Sequence, residues 1–234
     1  MAKPARVIVS PQAGHHGPLL QVEDLRTHFN AEVGIVKAVD GVSFTLERGK
    51  TLGIVGESGS GKTILSRSIM GLLPPKNVIR SGSVLYEGTQ IAGLGAQAMR
   101  SIWGTEMAMV FQDPMTSLNP VMKIGKQITE SLVFHLSMDK GEARQTAIAL
   151  LASVGIPEPA QRFDEYPHQL SGGMRQRVMI AIALACGPRL LFADEPTTAL
   201  DVTVQSQILD LLQRQQAERN MALVLVTHDL GVVA

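Results

Sequence analysis

Short apolar segments and longer amphipathic segments alternate along this chain. The apolar segments have the length of strands, and they occupy residues 19–25, 35–39, 42–46, 51–55, 83–86, 107–111, 189–193 and 222–226. The amphipathic segments have apolar residues at helical spacing, and they occupy residues 61–73, 171–185 and 202–220. Residues 113–170 are helical in pattern, with turns at their prolines. Strands separated by helices predict a mainly parallel sheet in an α/β layer, with residues 113–170 as a helical insertion.

The first 18 residues differ in composition from the rest of the chain. They are interrupted by prolines and glycines, and we interpret residues 1–18 as a flexible N-terminal lead. Residues 19–234 then form one domain. We assign its α/β core to residues 19–112 and 171–234 and its helical subdomain to residues 113–170.

Composition and charge narrow the class of protein. Apolar residues make up 45% of the chain, which is enough for a packed core. The 21 Lys and Arg residues balance the 21 Asp and Glu residues, and zero net charge argues against binding nucleic acid through a generally basic surface. The one cysteine, Cys186, excludes a disulfide within the chain and suits a reducing cytoplasm. No apolar run approaches the roughly 20 residues of a transmembrane helix, so we expect a cytoplasmic chain.

The segment Gly56–Thr63 has the pattern of a phosphate-binding loop. Its sequence GESGSGKT fits G-x-x-x-x-G-K-[ST], with a predicted strand before it and a predicted helix after it. The glycines allow backbone N–H groups to turn inward around a polyphosphate, and the helix adds the positive end of its dipole. Lys62 is expected to contact the β and γ phosphates, and the Thr63 hydroxyl to ligate Mg²⁺. The nucleotide-binding residues predicted here are Gly56, Glu57, Ser58, Gly59, Ser60, Gly61, Lys62 and Thr63. The flanking elements disfavour the alternative, a glycine-rich turn with a chance lysine.

An acid pair, Asp194 and Glu195, follows the predicted strand at residues 189–193. Ligands bind at the carboxyl edge of an open parallel sheet. Asp194 can hold Mg²⁺, directly or through water, while Glu195 can polarise an attacking water. Alone, the pair is better explained as a solvated strand end, but together with the phosphate-binding loop it predicts a nucleotide-hydrolysing site. The sequence has no Asn-Lys-x-Asp string for reading guanine, which favours ATP over GTP.

A second anion-binding helix terminus is predicted in the segment LSGGMRQR at residues 170–177. Ser171 is a good N-cap residue, and Gly172 and Gly173 leave backbone N–H groups accessible to an anion. One nucleotide needs only one phosphate-binding loop, so we infer that this terminus contacts nucleotide held by a partner copy. The alternative is an ordinary capped helix that buries its apolar face.

LSGGMRQR resembles the signature motif of the ATP-binding cassette (ABC) proteins, and other motifs of that family occur in the expected order. Gln112 is similar to the Q-loop glutamine, which in the family senses Mg²⁺ and the γ-phosphate and couples to the membrane subunits. Residues 199–201 resemble the D-loop at the dimer interface, and His228 resembles the switch histidine that contacts the γ-phosphate. Phe29 lies where the family's adenine-stacking aromatic residue is expected, although the sequence is as well explained by a core role.

This resemblance implies an α/β fold, that of a P-loop NTPase with a RecA-like ABC nucleotide-binding domain, an N-terminal antiparallel β subdomain and an inserted helical subdomain. It also implies two ATP molecules sandwiched head to tail between two subunits. The residues implied in catalysis are Glu195, His228 and Gln112, and those implied in Mg²⁺ binding are Thr63, Gln112 and Asp194. Ser171, Gly172 and Gly173 would complete the site of the other subunit.

Longer strings narrow the resemblance to the oligopeptide and dipeptide importer ATPases, a group that also includes nickel importers. These strings are residues 111–120, 165–169 and 193–205. They imply the ATP-hydrolysing subunit of a bacterial ABC importer, held peripherally at the cytoplasmic face of the cell membrane. The implied partners are a second ATPase subunit, identical or related, two transmembrane permease subunits on which residues 113–170 dock, and indirectly an extracytoplasmic solute-binding protein. Nucleic acid is not expected as a partner.

Other functions stay open on the sequence alone. The family domain normally continues with further strands beyond the point that corresponds to Ala234, so we expect a fragment or a natural truncation. A nucleotide-binding module without turnover of its own is therefore one alternative, and an importer ATPase for nickel or another small solute is a second. A third, a soluble ABC ATPase without a membrane partner, is disfavoured by the peptide-importer strings and by the lack of a basic patch.

Overall fold

The computed structural model describes residues 17–32, 34–198 and 200–229. All but the last residues of the predicted N-terminal lead therefore lie outside the described residues. The chain divides into two compact units. The first contains the described residues up to Trp103 together with those from Ala222 onward, and the second runs from Gly104 to Met221.

Strands open the described chain, a run of helices occupies its middle, and helices and strands alternate toward its end. The strands are β1 (Leu20–Ala31), β2 (Gly34–Leu46), β3 (Thr51–Val55), β4 (Val78–Tyr86), β5 (Thr89–Gln90), β6 (Met107–Val110), β7 (Leu190–Asp194) and β8 (Ala222–Thr227). The helices are α1 (Lys62–Ile69), α2 (Ala96–Met99), α3 (Pro114–Ser117), α4 (Ile124–Leu136), α5 (Lys140–Ser153), α6 (Pro159–Arg162), α7 (Gly172–Leu184) and α8 (Val202–Arg219), with a 3-10 helix at Pro167–Gln169. Among the residues described, no helix combines the length and the apolar character needed to cross a membrane.

The first unit contains an antiparallel sheet with the strand order β2-β1-β4-β5. Leu20 on β1 lies opposite Leu46 on β2 and Tyr86 on β4, and all three side chains are buried. Their packing fixes the register at this end of the sheet, because a slip by one residue would turn every apolar side chain to the other face. The antiparallel β subdomain implied by the sequence is confirmed.

Strand β2 is continuous from Gly34 to Leu46, so the prediction of two separate strands at 35–39 and 42–46 is wrong. The pairing of β2 with β1 shifts register at three places, and at two of them Gly41 and Ala38 have no directly opposite residue. A β-bulge of this kind adds a residue without ending the strand. Strand β1 also extends to Ala31, well past the predicted end at residue 25.

Parallel strand pairs occur in both units. In the first unit β3 pairs with β8, from Thr51 opposite Leu223 to Val55 opposite Thr227. In the second unit β6 pairs with β7, from Met107 opposite Leu190 onward. Every residue of β6, β7 and β8 is buried, as expected for parallel strands covered on both faces. The α/β class with parallel pairing is confirmed.

Helix α1 begins at Lys62, directly after the predicted phosphate-binding loop, and it ends at Ile69. The sequence predicts a longer helix, ended by Pro74. The chain instead turns at Gly71, where φ is 65°, and a glycine in this conformation is a common helix stop. The elements β5 and α2 were not predicted, since two and four residues are too few to establish a periodic pattern.

Helices α3 to α6 fill most of the chain between β6 and α7, and the start of α4 is fastened to the segment that follows α6. The Ile124 N–H donates to the carbonyl oxygen of Glu165, and the Gly125 N–H donates to that of Phe163. Each N···O distance is 2.8 Å. Nearby, the Arg144 guanidinium stacks on the Phe163 ring and forms an ion pair with Asp164. This ion pair lowers the pKa of the Asp164 carboxyl below its usual range.

Gly125 is required at the start of α4 by the close approach of Phe163. A Cβ atom at this position would lie 2.3 Å from the Phe163 ring.

We therefore expect Gly125→Ala to lower the free energy of unfolding by about 1–3 kcal/mol, the usual cost of overpacking, as measured by chemical denaturation. Gly95→Ala serves as the control, because no atom lies within 4 Å of the added Cβ. Phe163→Leu in the Gly125→Ala chain should restore part of the loss, and equal stability of Gly125→Ala and Gly95→Ala would contradict this packing.

Candidate functional site

The predicted phosphate-binding loop connects β3 to α1 in the first unit. Gly61 is the N-cap of α1 and has a left-handed φ of 91°. A Cβ atom on Gly61 would lie 2.1 Å from the carbonyl oxygen of Ala38. The helix has no side-chain cap at this end and no acidic residue in its first turn. The start of α1 therefore keeps the features that an anion-binding helix terminus needs.

The Lys62 side chain folds back over the loop. Its ammonium donates hydrogen bonds to the carbonyl oxygens of Gly56, over 2.6 Å, and Glu57, over 2.8 Å. Lys62 is buried, and Thr63 follows in the first turn of α1, half-buried. A lysine held in this way puts a positive charge directly at the loop, where a phosphate group needs one.

The predicted acid pair lies at the carboxyl end of β7 in the second unit. Asp194 is the last residue of the strand and is buried, with 1% of its surface exposed. Glu195 is next and has a left-handed φ of 46°. A residue other than glycine pays roughly 1–3 kcal/mol for such a conformation, which persists only where neighbouring contacts hold it.

Two side chains hold the Glu195 carboxylate by the same oxygen. The Gln112 amide nitrogen Nε2 donates to Oε2 over 3.1 Å, and the Thr198 hydroxyl donates to Oε2 over 2.9 Å. Gln112 and Glu195 are 83 positions apart in the sequence. The parallel register explains why they meet, because Val110 pairs with Ala193 and each side chain follows just beyond that pair.

The predicted second anion-binding terminus is the start of α7 in the second unit. The Ser171 hydroxyl accepts a hydrogen bond from the Met174 N–H over 3.3 Å, which confirms Ser171 as the N-cap. Ser171 and Gly172 are exposed. At Gly173 a Cβ atom would lie 3.0 Å from Cγ1 of Val204 on α8, so the starts of α7 and α8 are neighbours.

Asp201 is the N-cap of α8. Its carboxylate accepts a hydrogen bond from the Val204 N–H over 3.0 Å. Val202 follows and exposes 83% of its surface. Of the segment likened to a D-loop, Ala199 lies outside the described residues, and Leu200 and Asp201 lie inside them.

Phe29 and His228 both belong to the first unit. Phe29 was predicted to follow a strand, but it lies inside β1. It is opposite Val36 on β2 and Val78 on β4. The Phe29 side chain is half-buried, so this row of apolar residues forms a partly accessible surface. His228 follows the end of β8 and is exposed.

Sequence reasoning missed Thr198 and Arg175. The Arg175 guanidinium donates to the carbonyl oxygen of Pro167 over 2.9 Å and contacts the sulfur of Met115, so it ties α7 to α3. The sequence Glu-Pro-Thr-Thr at 195–198 was the available signal for Thr198. Proline at the second position favours a tight turn, and such a turn brings Thr198 close to Glu195. For Arg175 the sequence held no signal, since its partners are distant in the chain.

Gly61→Ala should destabilise the loop more than the left-handed backbone alone explains. Gly93→Ala is a matched control, because Gly93 has a φ of 83° but no atom within 4 Å of an added Cβ. We expect Gly93→Ala to cost about 1–2 kcal/mol for the backbone conformation, and Gly61→Ala to cost clearly more because Cβ also meets the Ala38 carbonyl oxygen. Unfolding midpoints in denaturant measure both. Equal losses would contradict the close approach at Gly61.

The known proteins that this sequence resembles are ATP-binding proteins of ABC transporters. The sequence matches the ABC transporter family over residues 39–198. It is 52% identical to the oligopeptide transport ATP-binding protein OppD of Bacillus subtilis (strain 168) over 217 residues, which are 92% of this chain and 61% of that protein. It is also 52% identical to the dipeptide transport ATP-binding protein DppD of Escherichia coli (strain K12) over 216 residues, 92% of this chain and 66% of that protein. The chain spans less than two thirds of the length of these curated relatives.

Solved structures share the fold. The ATP-binding cassette MJ0796, in a dimeric post-hydrolysis state bound to ADP and Pi, superposes with a TM-score of 0.81 at 29% identity and covers 91% of this chain and 89% of its own. The protein cbiO1 from Clostridium perfringens, part of the ABC transporter complex cbiONQ, superposes with a TM-score of 0.75 at 29% identity, over 92% of this chain and 80% of its own. Sequence and fold agree, and the chain belongs to the ABC transporter family.

Proposed function

We propose that this chain is the ATP-binding and hydrolysing subunit of a bacterial ABC importer of oligopeptides or dipeptides. ATP would close two such subunits head to tail, and hydrolysis would reopen them while membrane subunits follow the cycle. The observation that carries the hydrolytic part is the hydrogen bond between Gln112 and Glu195. It joins the residue likened to a sensor of the γ-phosphate to the carboxylate likened to the water-polarising base.

The proposal assigns the phosphates of ATP to the loop at residues 56–63. The uncapped start of α1 and the Lys62 ammonium above the loop carbonyls support this assignment, because both supply positive potential for a polyphosphate. Phe29 would stack on the adenine ring, using the partly accessible apolar row that it forms with Val36 and Val78.

Mg²⁺ is the metal that the proposal requires. The residues assigned to it, Thr63, Gln112 and Asp194, offer hydroxyl, amide and carboxylate oxygens, which are the hard ligands that Mg²⁺ prefers. The ion would neutralise charge on the phosphates. Glu195 would orient and polarise the attacking water, and His228 would contact the γ-phosphate.

The second copy would contribute the start of its α7. Ser171 and Gly172 are exposed and the helix begins there, so backbone N–H groups are accessible to a phosphate held by another chain. The exposed Val202 at the neighbouring start of α8 offers apolar surface for the same contact. The dimeric state described for the MJ0796 cassette supports the pairing of two such subunits.

Peptide import is favoured by the named functions of the relatives, oligopeptide and dipeptide transport. The segment that follows β6 exposes apolar residues, with Met115 62% exposed and Val121 83% exposed. Gln112 directly precedes residues 113–170. If these residues dock on two permease subunits, a movement of the permease subunits would therefore reach Gln112 and the site. A second ATPase subunit and, indirectly, an extracytoplasmic solute-binding protein complete the proposed complex, at the cytoplasmic face of the membrane.

Glu195→Gln should abolish steady-state hydrolysis of Mg²⁺-ATP and leave ATP binding intact. The amide keeps the shape of the carboxylate but cannot polarise water as a base. Glu130→Gln is the control, since Glu130 is exposed on α4. Turnover in the wild type that persists in Glu195→Gln would contradict the assignment. ATP binding without turnover by the wild-type chain would instead favour the module that needs a partner for catalysis.

Gln112→Ala should uncouple transport from hydrolysis while sparing nucleotide binding. The variant loses the amide that contacts Glu195 but leaves the phosphate-binding loop unchanged. In a reconstituted importer we expect peptide uptake per ATP hydrolysed to fall, with ATP affinity unchanged. Gln213→Ala, an exposed change on α8, should alter neither quantity. A loss of ATP binding in Gln112→Ala would count against the proposed role.

A further inference from the structure

Thr198 contacts Glu195 through both its backbone and its side chain. The Thr198 N–H donates to the Glu195 carbonyl oxygen over 3.2 Å. The Thr198 hydroxyl donates to Oε2 of the Glu195 carboxylate over 2.9 Å. The intervening Pro196 is buried and has a fixed φ. Residues 195–198 therefore form a tight turn. The hydroxyl of its last residue, Thr198, holds the carboxylate of its first residue, Glu195.

This turn compensates for an unfavourable backbone conformation. Glu195 has a left-handed φ of 46°, which redirects its side chain relative to the extended strand β7 before it. A carboxylate on such a residue stays in one orientation only if its surroundings fix it. Threonine suits that task better than serine, because its β-branched side chain restricts χ1 and so fixes the direction of the hydroxyl.

The two donors on Oε2 differ in how firmly they are placed. Gln112 is exposed and reaches Glu195 from a segment 83 positions away. Thr198 is part of the same turn as Glu195 and its hydrogen bond is part-buried. If Gln112 leaves the carboxylate when the importer changes state, Thr198 remains as a donor that moves together with Glu195.

We propose that Thr198 is a positioning residue for ATP hydrolysis, whose hydroxyl holds the Glu195 carboxylate in the orientation that addresses the attacking water. This inference rests on the proposed function and adds a residue that none of the family motifs considered above assigns. It predicts that the hydroxyl affects the rate of the chemical step and not the binding of nucleotide, because Thr198 contacts the base and is not assigned to the nucleotide.

The first test is the steady-state hydrolysis of Mg²⁺-ATP by the full chain carrying Thr198→Val, which keeps the shape of threonine and removes the hydroxyl. We expect kcat to fall at least about tenfold, since small displacements of a catalytic group cost up to about a hundredfold, while the Kd for ATP stays within about twofold. Thr198→Ser should recover most of kcat. Thr129→Val, which removes a hydroxyl that bonds the Lys126 carbonyl oxygen on α4, should leave kcat unchanged.

A second test needs no turnover. Thr198→Val should lower the thermal unfolding midpoint by about 2–4 °C, the shift expected for a lost hydrogen bond in a domain of this size. In a Glu195→Ala chain the same change should have no further effect, because the acceptor is absent and the two residues are coupled. Equal lowering of the midpoint in both chains would overturn the inference, whether or not the chain hydrolyses ATP.

The outcomes separate this inference from the function on which it rests. Turnover that survives Glu195→Gln contradicts the proposed function. Loss of turnover in Glu195→Gln together with wild-type kcat in Thr198→Val leaves the proposed function standing and overturns the role of Thr198. An equal loss of kcat in Thr198→Val and Thr198→Ser also overturns it, because the serine hydroxyl would then recover nothing.

Discussion

The proposed phosphate site depends on the close approach of Gly61, at the start of α1, to the Ala38 carbonyl oxygen on β2, because a backbone holds a polyphosphate where several N–H groups point to one place. Gly61 starts the helix from a left-handed conformation, against the Ala38 carbonyl oxygen, where a Cβ atom has no room. Lys62 then turns its ammonium onto the carbonyl oxygens of Gly56 and Glu57. These carbonyls would otherwise present negative potential near the phosphates. The pairing of β3 with the buried strand β8 holds the start of this loop in place.

The carboxylate of Glu195 depends on a similar constraint in the second unit. The buried register of β6 and β7 brings Gln112 to Glu195 across 83 positions of sequence. The left-handed backbone at Glu195 and the turn to Thr198 then set the direction of the carboxylate. In this unit β7, a strand buried along its whole length, ends directly before a residue with a left-handed backbone. The rigid strand supports the local strain, and the chemistry assigned to the site uses the side chain that the strain directs.

Residue chemistry allowed much of the candidate site to be predicted from sequence. The loop at 56–63, the acid pair after β7 and the N-cap at Ser171 are local patterns, and strand β3 occupies the predicted residues 51–55. The errors have tertiary causes. Strand β2 continues through Ala38 and Gly41 although its register with β1 shifts at both residues, and no local pattern distinguishes such a shift from a strand end. The hydrogen bond from Thr198 depends on the φ of Glu195, which the sequence does not reveal.

The central claim is that the loop at 56–63, with Lys62, binds the phosphates of ATP. The most direct measurement is the equilibrium affinity of the purified chain for Mg²⁺-ATP, with Lys62→Ala compared to Lys76→Ala, a matched change at an exposed lysine. A hydrogen bond to a charged group contributes about 1.5–3 kcal/mol, which corresponds to a loss of about tenfold to a hundredfold in affinity. We predict this loss for Lys62→Ala and wild-type affinity for Lys76→Ala. Equal affinity of the two variants would contradict the account.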